Sequence, residues 1–161
     1  MVDIVKQLEA RNIPIEGEHY VFLAQQCLGK GLVFDVGTHK GYSAYAMSLT
    51  AEEVWSFDIN HDQLEIKSHN IEYLIQADFT ENVALMQAEL ILIDVDPHAG
   101  AIEKYFLEQL RYREWKGIVL LDDTELNEPM QELWAWAGQT FKNTKRIIDA
   151  HYTGTGMIQI E

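Results

Sequence analysis

The stretch that most constrains this chain runs from Leu32 to Met47, LVFDVGTHKGYSAYAM. An apolar run ends in an acid, Asp35, and Gly37 and Gly41 then bracket a short polar loop. From Tyr42 the composition turns helical. Together these read as a buried parallel strand, a tight turn and a helix packed back on that strand. Glycine in such a turn permits positive φ and lets a ligand come close to the backbone. The helix beyond it presents unpaired N–H groups to a polar or anionic group. The spacing matches neither the dinucleotide pattern G-x-G-x-x-G nor the phosphate loop, because Lys40 precedes Gly41 instead of following a final glycine. An unliganded strand–helix turn would show the same pattern, so the loop needs support from the rest of the chain.

Support comes from repetition. Val54 to Asp58 reads as a second strand ending in an acid, and the span from Gly37 to Asp58 accommodates a helix plus a strand. Asp58 then returns beside the glycine loop, where one carboxylate can meet two vicinal ribose hydroxyls. Glu72 to Gln76 is a third strand, followed by Ala77, Asp78 and Phe79. Leu90 to Ile93 is the clearest buried strand and runs into Asp94-Val95-Asp96-Pro97-His98, while Gly117 to Leu121 runs into Asp122-Asp123-Thr124. Carboxylates and an imidazole placed just past apolar strands are costly unless they meet water or ligand. In open α/β sheets that carboxyl edge is where ligands bind. Thr144 to Ala150 and Met157 to Glu161 supply two last strands, whose tight connection through His151 to Gly156 makes them antiparallel.

Helices are expected over residues 2–11, with Ile4, Val5 and Leu8 inward, and over Glu18 to Leu28, with Tyr20, Ala24, Cys27 and Leu28 on one side. A short helix is expected over Asp62 to Ser68, a longer one carrying Ile102, Tyr105, Phe106 and Leu110, and one capped by Asn127 with Met130, Leu133, Trp134 and Ala137 inward. The fold class is α/β: a Rossmann-like three-layer sandwich with a mostly parallel seven-stranded sheet and an antiparallel last strand. The 161 residues form a single domain, 1–161, with an N-terminal helical cap over about 1–30.

The formal net charge of −14 argues against a nucleic-acid binder or an anionic membrane surface, both of which call for basic patches. Cys27 is the only cysteine, so no intrachain disulfide can form, and it reads as a small buried apolar residue. With no signal-like or membrane-spanning run, the expected setting is cytoplasmic.

The Asp35–Gly37–Gly41 stretch resembles the first motif of class I S-adenosylmethionine-dependent methyltransferases, and Gly41-Tyr42-Ser43-Ala44 resembles the catechol-type, metal-dependent O-methyltransferase branch. Asp58-Ile59-Asn60 is similar to the acid-Ile-Asn that follows the second strand in that branch. His39 stands where many members of the wider family carry a glycine. The resemblance implies a methyltransferase domain acting on an oxygen of a small polar metabolite, with S-adenosylmethionine bound by Asp35, Gly37, Thr38, His39, Gly41, Tyr42, Ser43, Asp58, Ile59, Asp78, Phe79 and Asp94. Asp78 and Phe79 would lie at the adenine. It also implies a last strand inserted between the fifth and sixth.

The same resemblance leaves open a magnesium-like divalent cation held by Asp94 and Asp123, with Asp122 or Asp96 completing the set because Thr124 stands where the branch has Asn. The branch's lysine base would fall on Pro97, which leaves His98 and His151 as candidates for proton transfer. Asp94, His98 and His151 are therefore the catalytic candidates. The expected partner is a small-molecule substrate, and a homodimer is compatible with the sequence. Two rival readings remain: a metal-dependent hydrolase built on the acid cluster, and a catalytically inactive cofactor-binding module working through a dimer face.

Overall fold

In the computed structural model, which describes residues 2–147 and 151–161, apolar residues alternate along each central strand. The alternation divides the interior into two cores. Val33 in β1 (Leu32–Val36), Leu90 and Leu92 in β4 (Ala88–Ile93), and Leu120 in β5 (Gly117–Asp122) face one side. There they pack with Leu8, Leu23, Ala44 and Met47 of α1 (Ile4–Glu9), α2 (His19–Gln26) and α3 (Tyr42–Ser48). Phe34, Val36, Ile91, Ile93, Val119 and Leu121 face the other side. They meet Phe106, Leu107, Leu110, Met130, Leu133 and Ala137 of α4 (Ala101–Tyr112) and α5 (Glu128–Thr140). A period of two on strands buried on both faces produces three layers.

The sheet also contains β2 (Glu53–Asp58), β3 (Ile71–Ile75), β6 (Asn143–Ile147) and β7 (Thr155–Ile160), and its seven strands run β3-β2-β1-β4-β5-β7-β6. The first five are parallel. β7 is antiparallel to both β5 and β6 and lies between them, as expected. The strand order reverses direction between β1 and β4, which is the topological switch point. Among the described residues no helix is long and apolar enough to cross a membrane.

Local expectations fared unevenly. The capping of α5 holds: Asn127 Oδ1 accepts from Met130 N at 3.0 Å, and Met130, Leu133 and Ala137 are buried. The helix expected over Asp62 to Ser68 does not form. The Lys40 carbonyl accepts from Glu65 N and Ile66 N, and the Ile66 carbonyl accepts from the Tyr73 hydroxyl, so the segment is held extended against the glycine loop and β3. The inward face expected of α2 is met in part. Ala24 and Cys27 are buried as expected, joined by His19 and Leu23, while Tyr20 is half-buried and Leu28 is exposed beyond the helix end. Ile102 and Tyr105 of α4 are more exposed than the core positions Phe106 and Leu110. The sixth strand is described through Ile147, and its expected end at Ala150 lies outside the described residues.

Candidate functional site

A cleft of about 560 Å³ opens along the carboxyl edge of the parallel strands. It runs from Asp58, Ile59, Asn60, Gln76 and Ala77, past Gly37 and His39, to Asp94, His98, Asp122, Asp123 and His151. His19 and Tyr20 of α2 close it from the N-terminal side. Its centre is therefore the switch point between β1 and β4.

The loop after β1 builds the middle of the cleft. Gly37 sits at φ +106°, and a Cβ there would lie 1.7 Å from the Asp94 carbonyl oxygen. The glycine thus lets the β1 loop and the end of β4 touch through backbone alone. Gly37 N also donates to the Phe57 carbonyl at 2.8 Å, joining the loop to β2. At the next corner both oxygens of Asp58 accept backbone N–H groups: Oδ2 from His39 at 3.0 Å and Oδ1 from its own neighbour Ile59 at 2.7 Å. The Asp58 carboxylate is half-buried, fixed in orientation and still faces the cleft.

Several residues assigned to the cofactor on resemblance lie behind this surface instead of on it. Asp35 occupies a β1 position whose side chain points to the helical layer of α1–α3. It is fully buried, and it accepts from the Ser56 hydroxyl through one oxygen while the other has no partner. Burial pushes its carboxyl up to about 6 despite the Ser56 hydrogen bond. Thr38 shares a 2.7 Å hydrogen bond with Ser56, and Ser43 is buried on α3. These groups brace the loop from below. Gly41, at φ +84°, is packed under Leu64 and Ile66, and Tyr42 donates to Glu65 at 3.0 Å outside the cleft.

Asp78 and Phe79, expected at the adenine, do not line the cleft either. Asp78 accepts from Thr80 N at 2.9 Å and from the Tyr105 hydroxyl at 2.8 Å, which makes it a cap tied to α4. Phe79 is a core residue between Phe34, Phe57 and Phe106. The groups that occupy this corner are Gln76 and Ala77, with Ile59 and Asn60 opposite. No sequence signal singled out Gln76. It follows from pairing β3 beside β2 with Asp58 opposite Ile75, which leaves the next residue at the rim.

At the other end the acids divide into two groups. Asp122 continues the β5 alternation toward the α2 side. There its Oδ1 lies 3.0 Å from His151 Nδ1 and its Oδ2 lies 3.7 Å from His19 Nε2. Asp123, one residue on and at φ +58°, lies between the two groups: its Oδ2 faces His98 Nδ1 at 3.4 Å and its Oδ1 is 3.6 Å from His151 Nδ1. Asp94, His98 and Asp123 form one group of mutually close donor atoms, and His19, Asp122 and His151 form another. The acids Asp94, Asp122 and Asp123 thus do not converge on one point. Asp96 is 90% exposed and touches only the far nitrogen of His98, at 3.3 Å.

Electrostatics follow this division. Burial pushes the Asp94 carboxyl well above its usual range, reinforced by repulsion from Asp122 and Asp123. Burial also works against charge on Asp122, but the His151 hydrogen bond and the nearby His19 outweigh it and hold that carboxyl below the usual range. The same hydrogen bond raises His151, whereas burial lowers His19. The Tyr20 hydroxyl is pushed up to about 12 by burial and then by Asp94 and Asp122, so it remains a neutral donor at the mouth. Cys27 is fully buried and pushed up to about 12 by burial, consistent with a packing role.

A magnesium-like ion prefers an all-oxygen shell with near-octahedral geometry. The group around Asp94 and Asp123 offers two carboxylates and an imidazole, and Asp122 is turned to the other group. Thr124 Oγ1 is buried without a partner and does not line the cleft. The residues present therefore do not form the all-oxygen set that the catechol-type resemblance implies.

No protein-family model matches the chain, and no curated protein matches it in sequence. Solved structures match it in fold. A TehB-like S-adenosylmethionine-dependent methyltransferase from Corynebacterium glutamicum superposes with a TM-score of 0.64 at 12% identity, covering 97% of this chain and 94% of that one. A methyltransferase from Geobacter sulfurreducens gives 0.63 at 16% identity over 98% and 86%. A Podospora anserina methyltransferase with S-adenosylhomocysteine bound gives 0.61 at 12% identity over 100% and 89%. The chain has the fold of these S-adenosylmethionine-dependent methyltransferases, in an arrangement that covers almost the whole of each.

Proposed function

We propose that the protein is an S-adenosylmethionine-dependent methyltransferase that methylates an oxygen of a small polar molecule. The observation that carries this reading is the cleft at the β1–β4 switch point, with Gly37 stripped of side chain against Asp94 and the fixed Asp58 carboxylate at its corner. Asp58 is placed to accept from two adjacent ribose hydroxyls, and its two backbone donors keep it oriented for that task. Gln76, Ala77, Ile59 and Asn60 offer the adenine an apolar wall with polar groups at its rim. The methyl group would then point past Gly37 toward His98 and Asp123.

Methyl transfer from a sulfonium is an in-line displacement. The protein must align the acceptor, take its proton and exclude water. Hydroxyl acceptors need a base near neutrality, and an imidazole supplies one. We assign that proton to His98 Nε2, because Nδ1 already faces Asp123 while the carboxylate on the Nε2 side belongs to exposed, displaceable Asp96. Tyr20 and α2 cover this half of the cleft and limit the entry of water. The turn Asp94-Val95-Asp96-Pro97-His98 lacks the Asn/Asp-Pro-Pro-aromatic arrangement of amino-methylating enzymes, which also favours oxygen as the acceptor atom.

Cofactor binding is tested directly by thermal unfolding and calorimetry in EDTA. At a hundredfold excess over its dissociation constant, S-adenosylhomocysteine should add about 2.7 kcal/mol of stability. NAD should add none. If millimolar S-adenosylmethionine and S-adenosylhomocysteine both leave the melting temperature unmoved, the reading is overturned.

A further inference from the structure

Apart from His98, the acceptor half of the cleft holds a second cluster that the proposed methyl transfer does not use. It is assembled from three distant parts of the chain: His19 at the start of α2, Asp122 at the end of β5, and His151 just before β7. Their donor atoms all lie within 4.8 Å of one another, and all three residues line the cleft.

We propose that His19, Asp122 and His151 form a binding site for one divalent transition-metal ion of the zinc and cobalt class. Around such an ion, ligand bonds of roughly 2.0–2.2 Å place neighbouring donors about 3–3.5 Å apart. The two oxygens of Asp122 lie 3.0 Å from His151 Nδ1 and 3.7 Å from His19 Nε2, which bracket that spacing. Two imidazoles and one carboxylate suit an ion of borderline softness, and the side open to the cleft leaves positions for water or a ligand.

A separate observation points the same way. The His19 side chain is only 9% exposed, yet Nδ1 has no hydrogen-bond partner and the nearest acid oxygen to Nε2 is 3.7 Å away. Among the described residues no hydrogen bond to this ring is found, although a buried imidazole normally satisfies at least one nitrogen. An ion on Nε2 would give the ring a partner on the side that faces Asp122. Asp122, by contrast, is held from behind by the Thr155 hydroxyl at 3.3 Å, as a ligating carboxylate usually is. The His19 and His151 rings lie 4.5 Å apart at 32°, so both imidazoles stand beside the same carboxylate.

This inference stands apart from the cofactor reading, because neither Asp58 nor Gly37 takes part. The full chain, stripped with EDTA and dialysed, is titrated with Co²⁺ and Zn²⁺, with Mg²⁺ as the hard-ion comparator. One Co²⁺ per chain should bind with visible ligand-field absorption, displaceable by Zn²⁺ and not by Mg²⁺. His19→Ala and His151→Gln should each weaken binding at least tenfold, and His98→Ala should leave it within twofold. Each variant is first compared with the parent by circular dichroism and by S-adenosylhomocysteine affinity in EDTA, which separates metal loss from misfolding and from failure of the cofactor reading. Should His19→Ala misfold, His151→Gln alone decides the matter. No stoichiometric Co²⁺ binding, binding that survives His151→Gln, or binding lost in His98→Ala would overturn the proposal; in the last case the ion belongs to Asp94 and Asp123.

Discussion

At the Asp58 end of the cleft the carboxylate that faces the cleft is met by backbone donors, whereas at the Asp122 end acids and imidazoles face one another. Asp58 accepts two backbone N–H groups, and Thr38 and Ser56 bond beneath the loop. One local unit, strand, loop, helix and strand from Leu32 to Asp58, suffices to close that network. At the far end Asp94 is crowded by two acids, and among the described residues His19 lacks a hydrogen-bond partner and buried Glu103 has both carboxylate oxygens unpartnered. The contrast teaches that local backbone donors fix the orientation of one carboxylate, while groups brought together from distant parts of the chain are left crowded.

The largest test breaks the ordered end. Gly37→Ala should cost about 3–5 kcal/mol, or prevent folding, because the new Cβ meets the Asp94 carbonyl at 1.7 Å in a backbone conformation that already disfavours side chains. Gly29→Ala supplies the control. It shares a positive φ, +74°, but has nothing within 4 Å of the new Cβ, so only the conformational cost of about 1–2 kcal/mol should appear. Urea denaturation of both variants checks the difference. Equal losses would mean that the close approach of β1 and β4 is not what holds the cleft together.

Next in size is the corner itself. Asp58→Ala should weaken S-adenosylhomocysteine binding by about 1–3 kcal/mol, the cost of leaving polar groups unpaired. Folding should persist, since the residue ends a strand at the surface. Calorimetry that finds parent-like affinity would reduce Asp58 to a loop brace like Asp35.

The smallest test relaxes the crowded end. Asp123→Asn keeps the shape and suits the positive φ of +58°, while removing one charge that acts on Asp94. Because the folded state raises the Asp94 pKa, it holds that proton more tightly than the unfolded chain does. The associated stability is present below about pH 4 and is lost as pH rises through the folded value. The variant should therefore gain on the order of 1 kcal/mol over the parent at pH 8 in EDTA. The gap should close below about pH 4, and unfolding curves at both pH values measure it. A gap independent of pH would show that Asp94 and Asp123 do not interact.

Much of this architecture was legible from residue order. Apolar runs reaching acids at Asp35, Asp58, Asp94 and Asp122 marked parallel strands and the edge they share, and the two late strands read as antiparallel. The Gly37 loop and Asp58 could be placed together because both belong to one local unit. The segment after Asp62 could not be read, since its helical composition yielded to hydrogen bonds from the Lys40 carbonyl and Tyr73, partners outside its own window. Nor could the burial of His19 on α2: Ala24 and Cys27 fit the expected inward stripe, but His19 is covered by its packing against the His151 ring.

Local pattern thus determined that this chain makes a doubly wound sheet with acids along its carboxyl edge, because strand periodicity and turn chemistry act over a few residues. Tertiary structure alone decided what those acids do. Asp35 and Asp78 became braces, since one points into a helical layer and the other caps a turn tied to α4. Asp122 and Asp123, adjacent in sequence, acquired different partners because β5 ends at Asp122 and the positive φ of Asp123 turns its Oδ2 to His98. Asp122 then met His19 and His151, residues that no spacing along the chain connects.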